Sequence, residues 1–130
     1  MQTKRILVID DDEIIRLVLQ LSLSTLAQWQ VLTAATGQEG IKIAQTEQPD
    51  AILLDMMMPD MDGLATMHEL NAQLETQNIP IILVTAKARM ADKQQWSELA
   101  ISGVITKPFE PSELVPTIQT MLKWEGEAKV

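Results

Sequence analysis

The sequence predicts an α/β protein in which helices cover both faces of a parallel sheet, a doubly wound sandwich. Its strand-like segments are short, mostly continuous apolar runs, which is typical of strands buried on both faces. Amphipathic helical segments alternate with these runs along the chain. Right-handed crossovers between parallel strands then place helices on both sides, and the site of such a sheet lies beyond the carboxyl ends of its strands.

Five strands are predicted, each a short apolar run that ends near a polar residue. Pro80 is compatible with the first position of a strand but not with its interior, so the fourth strand begins there. The predicted strands are Lys4–Ile9, Trp29–Ala34, Ala51–Asp55, Pro80–Thr85 and Gly103–Thr106.

Five helices are predicted to alternate with these strands, and two of them carry informative residues. Thr36 and Glu39 have the spacing of a capping box that opens the second helix. Pro116 lies inside the last helix, where it removes a backbone donor and is expected to kink or delay the helix. The first helix reaches about Leu26, and the others span Leu64 to Gln73, Met90 to Ala100 and Ser112 to Trp124. The apolar face of the first helix is predicted at Ile14, Leu17, Val18 and Leu21.

Length and composition limit the possible functions. A chain of 130 residues fits one domain, with a core from about residue 4 to 124 and a loose tail at 125–130. The absence of cysteine excludes disulfides, thiolate metal sites and a thiol nucleophile, and a reducing cytoplasm fits. A net charge of −8 opposes binding of nucleic acid or membranes, so the expected partners are proteins or a cation. The first apolar run is too short for a signal peptide or a membrane span.

The run from Ile52 to Gly63 contains a feature that a core does not require. The third strand is apolar until it ends in the carboxylate of Asp55, and burial of that charge without a partner would be unfavourable. Asp55 is therefore predicted to be a site residue on a polar rim or beside a cation. Pro59 disfavours helix for the residue before it, and the glycine at position 63 completes a turn into the next helix.

Polar residues also lie at the ends of the neighbouring strands, at Asp10 with Asp11, at Thr85 and at Thr106 with Lys107. If these strands are neighbours, their carboxylates, hydroxyl and ammonium converge on one rim, and carboxylates this close together attract a cation. Oxygen ligands favour Mg2+, which assists phosphoryl transfer to a nucleophile. The carboxylate left to attack is Asp55, while the ammonium and the hydroxyl would hold phosphoryl oxygens.

Four segments, in order and at matching spacings, resemble the receiver domains of response regulators in two-component signalling. The resemblance spans about residues 4 to 124 and implies a flavodoxin-like fold with a five-stranded parallel sheet of order 2-1-3-4-5. The segments are Ile6-Leu-Val-Ile-Asp-Asp11, Leu54-Asp-Met-Met-Met-Pro-Asp-Met-Asp-Gly63, Val84-Thr-Ala86 and Thr106-Lys-Pro-Phe109.

The resemblance implies a set of roles at the acidic rim. Asp55 would accept a phosphoryl group from a phosphohistidine of a sensor kinase or phosphotransfer protein. Asp11, Asp55 and the backbone carbonyl of Met57 would ligate Mg2+ directly, with Asp10 acting mostly through water. Such a chain is a signalling switch that phosphorylates and dephosphorylates itself, rather than an enzyme. It would be cytoplasmic, would act on a downstream protein and would be capable of forming a homodimer.

The resemblance also implies a switch at the end of the fourth and fifth strands. Thr85 would be the switch hydroxyl, Lys107 the phosphoryl partner, and the peptide bond between Lys107 and Pro108 would be cis. Val104 stands where the family usually has an aromatic switch residue, three positions before the lysine. We expect phosphorylation to pull Thr85 inward even without that aromatic ring, because the pull is a local electrostatic event.

Two other functions are compatible with parts of the sequence. A phosphatase of the haloacid-dehalogenase type would use Asp10 as the nucleophile of an Asp-x-Asp motif, but it would leave Asp55 without a role. A pseudo-receiver would bind partners without being phosphorylated, and Val104 is compatible with it. The presence of Asp55, Thr85 and Lys107 argues against that second alternative.

Overall fold

The computed structural model describes residues 3–56, 63–86 and 101–124. Within these ranges five strands form one parallel sheet in the order β2-β1-β3-β4-β5, which confirms the predicted fold class and strand order. The strands are β1 (Arg5–Ile9), β2 (Gln30–Ala34), β3 (Ala51–Asp55), β4 (Ile81–Thr85) and β5 (Gly103–Thr106). The helices are α1 (Glu13–Leu26), α2 (Gly37–Glu47), α3 (Gly63–Ala72) and α4 (Pro111–Leu122). The helix predicted from Met90 to Ala100 and the tail 125–130 lie outside the described residues.

Alternate residues of the central strands face two separate core layers. On one side of the sheet Leu7, Ile52 and Leu83 pack with α2 and α3, whereas on the other side Val8 and Leu53 pack with α1 and α4. Because both faces are covered, β3 and β4 are buried along their whole length. Continuous apolar sequence in these strands therefore follows from burial on both faces. Among the described residues, no helix is both long and apolar enough to cross a membrane.

The predicted apolar face of α1 is wrong. Ile14, Leu17 and Leu21 are exposed by 70%, 52% and 56%, and Val18 is half-buried. The buried residues of the helix are instead Leu19 and Leu23. The helix carries two apolar stripes at helical spacing, so periodicity alone does not identify the one that packs on the sheet. The packing of α1 beside α4 selects the stripe of Leu19 and Leu23.

The ends of α1 and α2 follow local capping chemistry. Asp12 caps α1, since its carboxylate accepts hydrogen bonds from the amides of Ile14 and Ile15. Thr36 caps α2 as predicted by accepting from the Glu39 amide at 3.1 Å, and Glu39 in turn accepts from the amide of residue 35. These caps fix the directions in which the two helices leave β1 and β2.

The remaining helices depart from prediction in two places. The last helix, α4, begins at Pro111 and runs through Pro116, so the internal proline does not delay it. Its Leu114 and Ile118 are buried. Helix α3 ends at Ala72, one residue before the predicted Gln73, and Leu74 beyond that end is exposed.

Candidate functional site at the carboxyl edge of the sheet

The strand register brings the predicted site residues to one edge. Ile9 pairs with Leu54, so Asp10 and Asp55 follow neighbouring positions of β1 and β3. Asp55 itself pairs with Val84, which places Thr85 one residue beyond on β4. Thr85 pairs with residue 106 on β5, and the amide of Lys107 donates to the Thr85 carbonyl at 2.9 Å. The convergence predicted from the strand ends is thus present in the structure.

Three carboxylates form a cluster at this edge. Asp10, Asp11 and Asp55 each offer an oxygen atom, and these atoms lie within 4.8 Å of one another. Asp10 and Asp55 are only 1% and 4% exposed, whereas Asp11 is exposed to solvent. The cluster therefore has a buried base and one side open to an incoming ion or group.

Asp10 is held from several directions. Its amide donates to the carbonyl of Ala34 at 3.1 Å, which joins the end of β1 to the end of β2. One carboxylate oxygen accepts from the amide of Asp12 at 2.9 Å, and the other accepts from the ammonium of Lys107 at 2.9 Å. Both oxygen atoms of this buried carboxylate are therefore engaged within the chain.

Lys107 connects two of the carboxylates. Its Nζ lies 2.9 Å from Asp10 Oδ2 and 3.6 Å from Asp55 Oδ1, and its side chain is 18% exposed. Burial alone would lower the pKa of Lys107, but the hydrogen bond and charge of Asp10, with a further contribution from Asp55, raise it above its ordinary value. The ammonium is therefore charged at neutral pH. The peptide bond between Lys107 and Pro108 is cis, as the resemblance implied.

Gly63 approaches this edge through its backbone, whereas Val104 packs in the core. The amide of Gly63 donates to the carbonyl of Met56, and a Cβ at position 63 would lie 2.4 Å from the carbonyl oxygen of Asp55. Only glycine allows α3 to begin this close to the backbone of Asp55. Val104 is partly buried and packs against the core on the α2 and α3 side of the sheet. Met57, the predicted carbonyl ligand, lies outside the described residues.

Sequence reasoning missed one side chain at this edge. Arg16, in the first turns of α1, donates from Nη1 to the backbone carbonyl of Asp10 at 2.6 Å. The signal in the sequence is weak, because it consists only of an arginine six positions after Asp10. Arg16 reaches the loop after β1 only because α1 begins immediately after that loop, and the Asp12 cap fixes this start of the helix.

The donor set fits a hard divalent cation. All candidate ligands are carboxylate oxygens, and one ammonium does not neutralise three carboxylates. Mg2+ prefers oxygen ligands and retains several waters, which suits a cluster with one exposed side. Asp10, Asp11 and Asp55 are the described residues that would hold such an ion.

The fold and this edge together define a class. A doubly wound sheet of order 2-1-3-4-5 is the fold of CheY-like proteins, and in this chain an acidic cluster and a lysine lie at the carboxyl edge of that sheet. The family model described as the response regulator receiver domain matches residues 6–119. The chain therefore belongs to the receiver domains of two-component response regulators.

Individual relatives agree with this assignment. The chain is 40% identical over 122 residues to the alkaline phosphatase synthesis transcriptional regulatory protein PhoP of Bacillus subtilis, covering 92% of this chain and 49% of that protein. It is similar to the chemotaxis protein CheY4 of Vibrio cholerae, with 30% identity and a TM-score of 0.85. The match covers 92% of this chain and 99% of the CheY4 chain. It is also similar to the receiver domain of the sensor histidine kinase PA1611 of Pseudomonas aeruginosa, whose structure has a magnesium ion in its active site cleft. That match has 28% identity and a TM-score of 0.82, and it covers 94% of this chain and 99% of the PA1611 receiver-domain chain.

Coverage of the curated relatives is partial. The chain spans about half the length of the curated proteins that it matches, and these are named as transcriptional regulators. What the comparison assigns to this chain is the receiver domain.

Proposed function

We propose that this chain is a phosphoryl-accepting switch in which Asp55 receives the phosphoryl group of a phosphohistidine on a sensor kinase or phosphotransfer protein. The observation that carries the proposal is the position of the Asp55 carboxylate at the end of β3. It lies beside Asp10 and Asp11 and 3.6 Å from the ammonium of Lys107. A carboxylate placed among other carboxylates and a cation is suited to attack a phosphorus atom whose charge must be neutralised.

In the proposed step a carboxylate oxygen of Asp55 attacks phosphorus and the P–N bond of the phosphohistidine breaks. The imidazole leaves with the electron pair of that bond, and an acyl phosphate forms on Asp55. Asp11 and Asp55 would ligate Mg2+ directly and Asp10 would act mostly through water, so that the ion supplies positive charge near the phosphoryl oxygens. Hydrolysis of the acyl phosphate would return the carboxylate and reset the switch.

Lys107 and Thr85 would respond to the new phosphoryl group. The ammonium of Lys107 already lies between two carboxylates and would hold a phosphoryl oxygen as a point charge. The buried Thr85 hydroxyl would donate to another phosphoryl oxygen, and its inward shift would move β4 and β5. With Val104 in place of an aromatic residue, the change would pass through aliphatic packing. Amide chemical shifts with and without a phosphoryl mimic test this step, and unchanged shifts over 90–104 would contradict it.

The exposed stripe on α1 supports a docking site for the phosphodonor protein. Ile14 follows Asp11 by three positions, and Leu17 and Leu21 continue the stripe away from the acidic edge. An apolar surface that starts at the acceptor site can bind a donor while its phosphohistidine faces Asp55. We expect Leu17→Gln to slow transfer from the phosphodonor protein and to leave phosphorylation by a small phosphodonor unchanged. Equal slowing of both reactions would contradict this docking site.

The hydrogen bonds of Asp10 argue against this residue as the nucleophile. One of its oxygens accepts from the amide of Asp12, and the other accepts from the ammonium of Lys107. A phosphatase of the haloacid-dehalogenase type would require this carboxylate to attack. The engagement of Asp10 therefore supports the receiver mechanism over that alternative.

The output and setting of the switch are also part of the proposal. The curated relatives are named as transcriptional regulators, so we include control of transcription among the outputs of a protein that contains this chain. The chain itself has a net charge of −8 and is expected to act through proteins rather than by binding DNA or membranes. We place it in the cytoplasm, functioning as a single receiver unit that is able to dimerise.

Intact mass spectrometry tests the proposal. The chain is treated with a small phosphodonor and Mg2+, together with the variants Asp55→Asn and Asp50→Asn. Asp50 precedes β3 and accepts from the Arg5 amide, so it is an aspartate at the opposite end of the same strand. We expect one added phosphoryl group in the wild type and in Asp50→Asn, and none in Asp55→Asn. An adduct on Asp55→Asn equal to that of the wild type would overturn the proposal.

A further inference from the structure

The loop between β1 and α1 is fixed by more than the cap of the helix. Arg16 reaches back from α1 and donates from Nη1 to the carbonyl of Asp10 at 2.6 Å. Its own amide donates to the carbonyl of Asp12 at 3.0 Å, which anchors Arg16 in the first turn of the helix. The cationic side chain of Arg16 thus contacts the backbone of the acidic cluster, whereas the ammonium of Lys107 contacts its carboxylates.

The contact of Arg16 controls the peptide unit that joins Asp10 and Asp11. A peptide bond is planar, so a fixed Asp10 carbonyl also fixes the direction of the Asp11 amide and the position of its Cα. Asp11 is the exposed member of the cluster, and among the described residues no side-chain hydrogen bond of its own holds it in place. The orientation of its carboxylate toward Asp55 therefore depends on the backbone to which it is attached.

We propose that Arg16 is a positioning residue of the acidic cluster. By holding the Asp10–Asp11 peptide, it keeps the carboxylate of Asp11 beside those of Asp10 and Asp55 and thereby sets the affinity for Mg2+. This inference rests on the proposed function, since it assigns Arg16 to the same cation site. Groups that orient metal ligands without touching the ion typically alter metal affinity when they are replaced.

The direction in which Mg2+ affinity changes when Arg16 is replaced distinguishes a positioning role from an effect of charge alone. If Arg16 acted only through its positive charge, its replacement by a neutral residue would strengthen Mg2+ binding, because a repelling cation would be removed. If it acts by orienting the loop, the same replacement weakens Mg2+ binding even though the local charge has become more favourable. The two roles therefore predict opposite changes in affinity.

A matched arginine is present at the other end of β1. Arg5 also donates from Nη1 to a backbone carbonyl at 2.6 Å, that of Glu47, but it lies at the amino edge of the sheet. Arg5→Gln therefore removes the same charge and the same kind of hydrogen bond away from the acidic cluster.

The experiment measures the Mg2+ dissociation constant of the full chain by isothermal titration calorimetry for the wild type, Arg16→Gln, Arg16→Lys and Arg5→Gln. We expect Arg16→Gln to weaken binding about tenfold, Arg16→Lys to recover most of the loss, and Arg5→Gln to match the wild type. Circular dichroism confirms that each variant is folded, and Arg16→Met, a second neutral replacement, is measured if the glutamine variant does not fold. In that case weaker Mg2+ binding in Arg16→Met supports the inference, and unchanged or tighter binding overturns it.

Two results overturn the inference. Unchanged or tighter Mg2+ binding in Arg16→Gln, with a wild type that binds Mg2+ and is phosphorylated, removes the role of Arg16 and leaves the proposed function intact. Absence of Mg2+ binding in the wild type removes both. Amide chemical shifts of Asp11 and Asp12 in the Mg2+-free chain provide a second measurement, and we expect them to change in Arg16→Gln but not in Arg5→Gln.

Discussion

The two edges of the parallel sheet both carry ion pairs, but these pairs differ in burial. At the amino edge Arg5 pairs with Glu47 at 2.7 Å, and the two side chains are 31% and 45% exposed. At the carboxyl edge Lys107 pairs with Asp10 at 2.9 Å, and the exposures are 18% and 2%. The distances are similar, so the difference between the edges lies in the surroundings of the charges.

Burial changes what an ion pair does for the protein. Water screens the exposed pair at the amino edge, and such pairs contribute little to stability. The pair at the carboxyl edge has lost most of its hydration, and a second carboxylate, Asp55, lies 3.6 Å from the same ammonium. Charges gathered at such a cost in desolvation are typical of a functional site, whereas those at the amino edge only link β1 to the end of α2.

The largest expected effect comes from removing the cation at each edge. We expect Lys107→Met to lower the free energy of unfolding by about 3–5 kcal/mol, because it removes the ammonium that pairs with the buried carboxylate of Asp10. Arg5→Met removes an exposed partner, and we expect a loss of about 0.2–1 kcal/mol. Urea unfolding in the absence of Mg2+ measures both values. Equal losses would remove the distinction between the edges.

Mg2+ provides the control for this pair of variants. A ligand that binds only the folded state stabilises it, and Mg2+ at the acidic cluster would replace the missing ammonium of Lys107. Added Mg2+ should therefore recover more stability in Lys107→Met than in the wild type or in Arg5→Met. If Mg2+ stabilised all three proteins equally, the ion would bind away from Lys107.

A smaller effect is expected from adding one methyl group at each edge. In Gly63→Ala the new Cβ would meet the Asp55 carbonyl at 2.4 Å and the Met56 Cα at 2.6 Å, so backbone must move. We expect a loss of about 1–3 kcal/mol together with slower phosphorylation by a small phosphodonor. Gly103→Ala, at the start of β5, would meet only the flexible end of Met121 and should lose less stability, with an unchanged phosphorylation rate. Slower phosphorylation of Gly103→Ala alone would contradict the comparison.

The smallest expected effect is a dependence of stability on alkaline pH. The folded-state pKa of Lys107 lies above its ordinary value of 10.5, because interactions with Asp10 and Asp55 outweigh the opposing effect of burial. A raised pKa stabilises the folded protein fully below the unfolded-state pKa, and this contribution is lost as the pH rises through the folded-state pKa. The chain has no tyrosine or cysteine that would titrate in the same range.

Unfolding experiments from about pH 9 upward check this dependence, because that range begins below the ordinary lysine pKa of about 10.4 and extends through it. The stability difference between the wild type and Lys107→Met should narrow above pH 10.5. The difference between the wild type and Arg5→Met should stay constant, since arginine does not titrate there. A constant difference for Lys107→Met would contradict the assigned pairing.

The sequence was sufficient for the sheet and its carboxyl edge, because burial on both faces and strand-end polarity are local signals. Asp10, Asp55, Thr85 and Lys107 were identified because each lies at or just after the polar end of an apolar run, where a parallel strand must end. The face of α1 was not predictable in the same way. Leu17 and Leu19 both belong to stripes at helical spacing, and only packing beside α4 distinguishes them.

The interactions within the site were also beyond sequence reasoning. The pairing of Lys107 with Asp10 at a shorter distance than with Asp55 depends on side-chain positions that strand order does not specify. Arg16 was missed because its contact is with a backbone carbonyl, which has no signature in side-chain type. The role of Met57 is a prediction of the same kind, since it concerns a carbonyl group.

Chemical trapping of the acyl phosphate tests the central claim most directly. After treatment with a phosphodonor and Mg2+, reduction with labelled borohydride marks the aspartate that carried the phosphoryl group, and peptide mapping locates it. The mechanism predicts label on Asp55 in the wild type and none in Asp55→Asn. Label on Asp10, or no labelled peptide in the wild type, would contradict it.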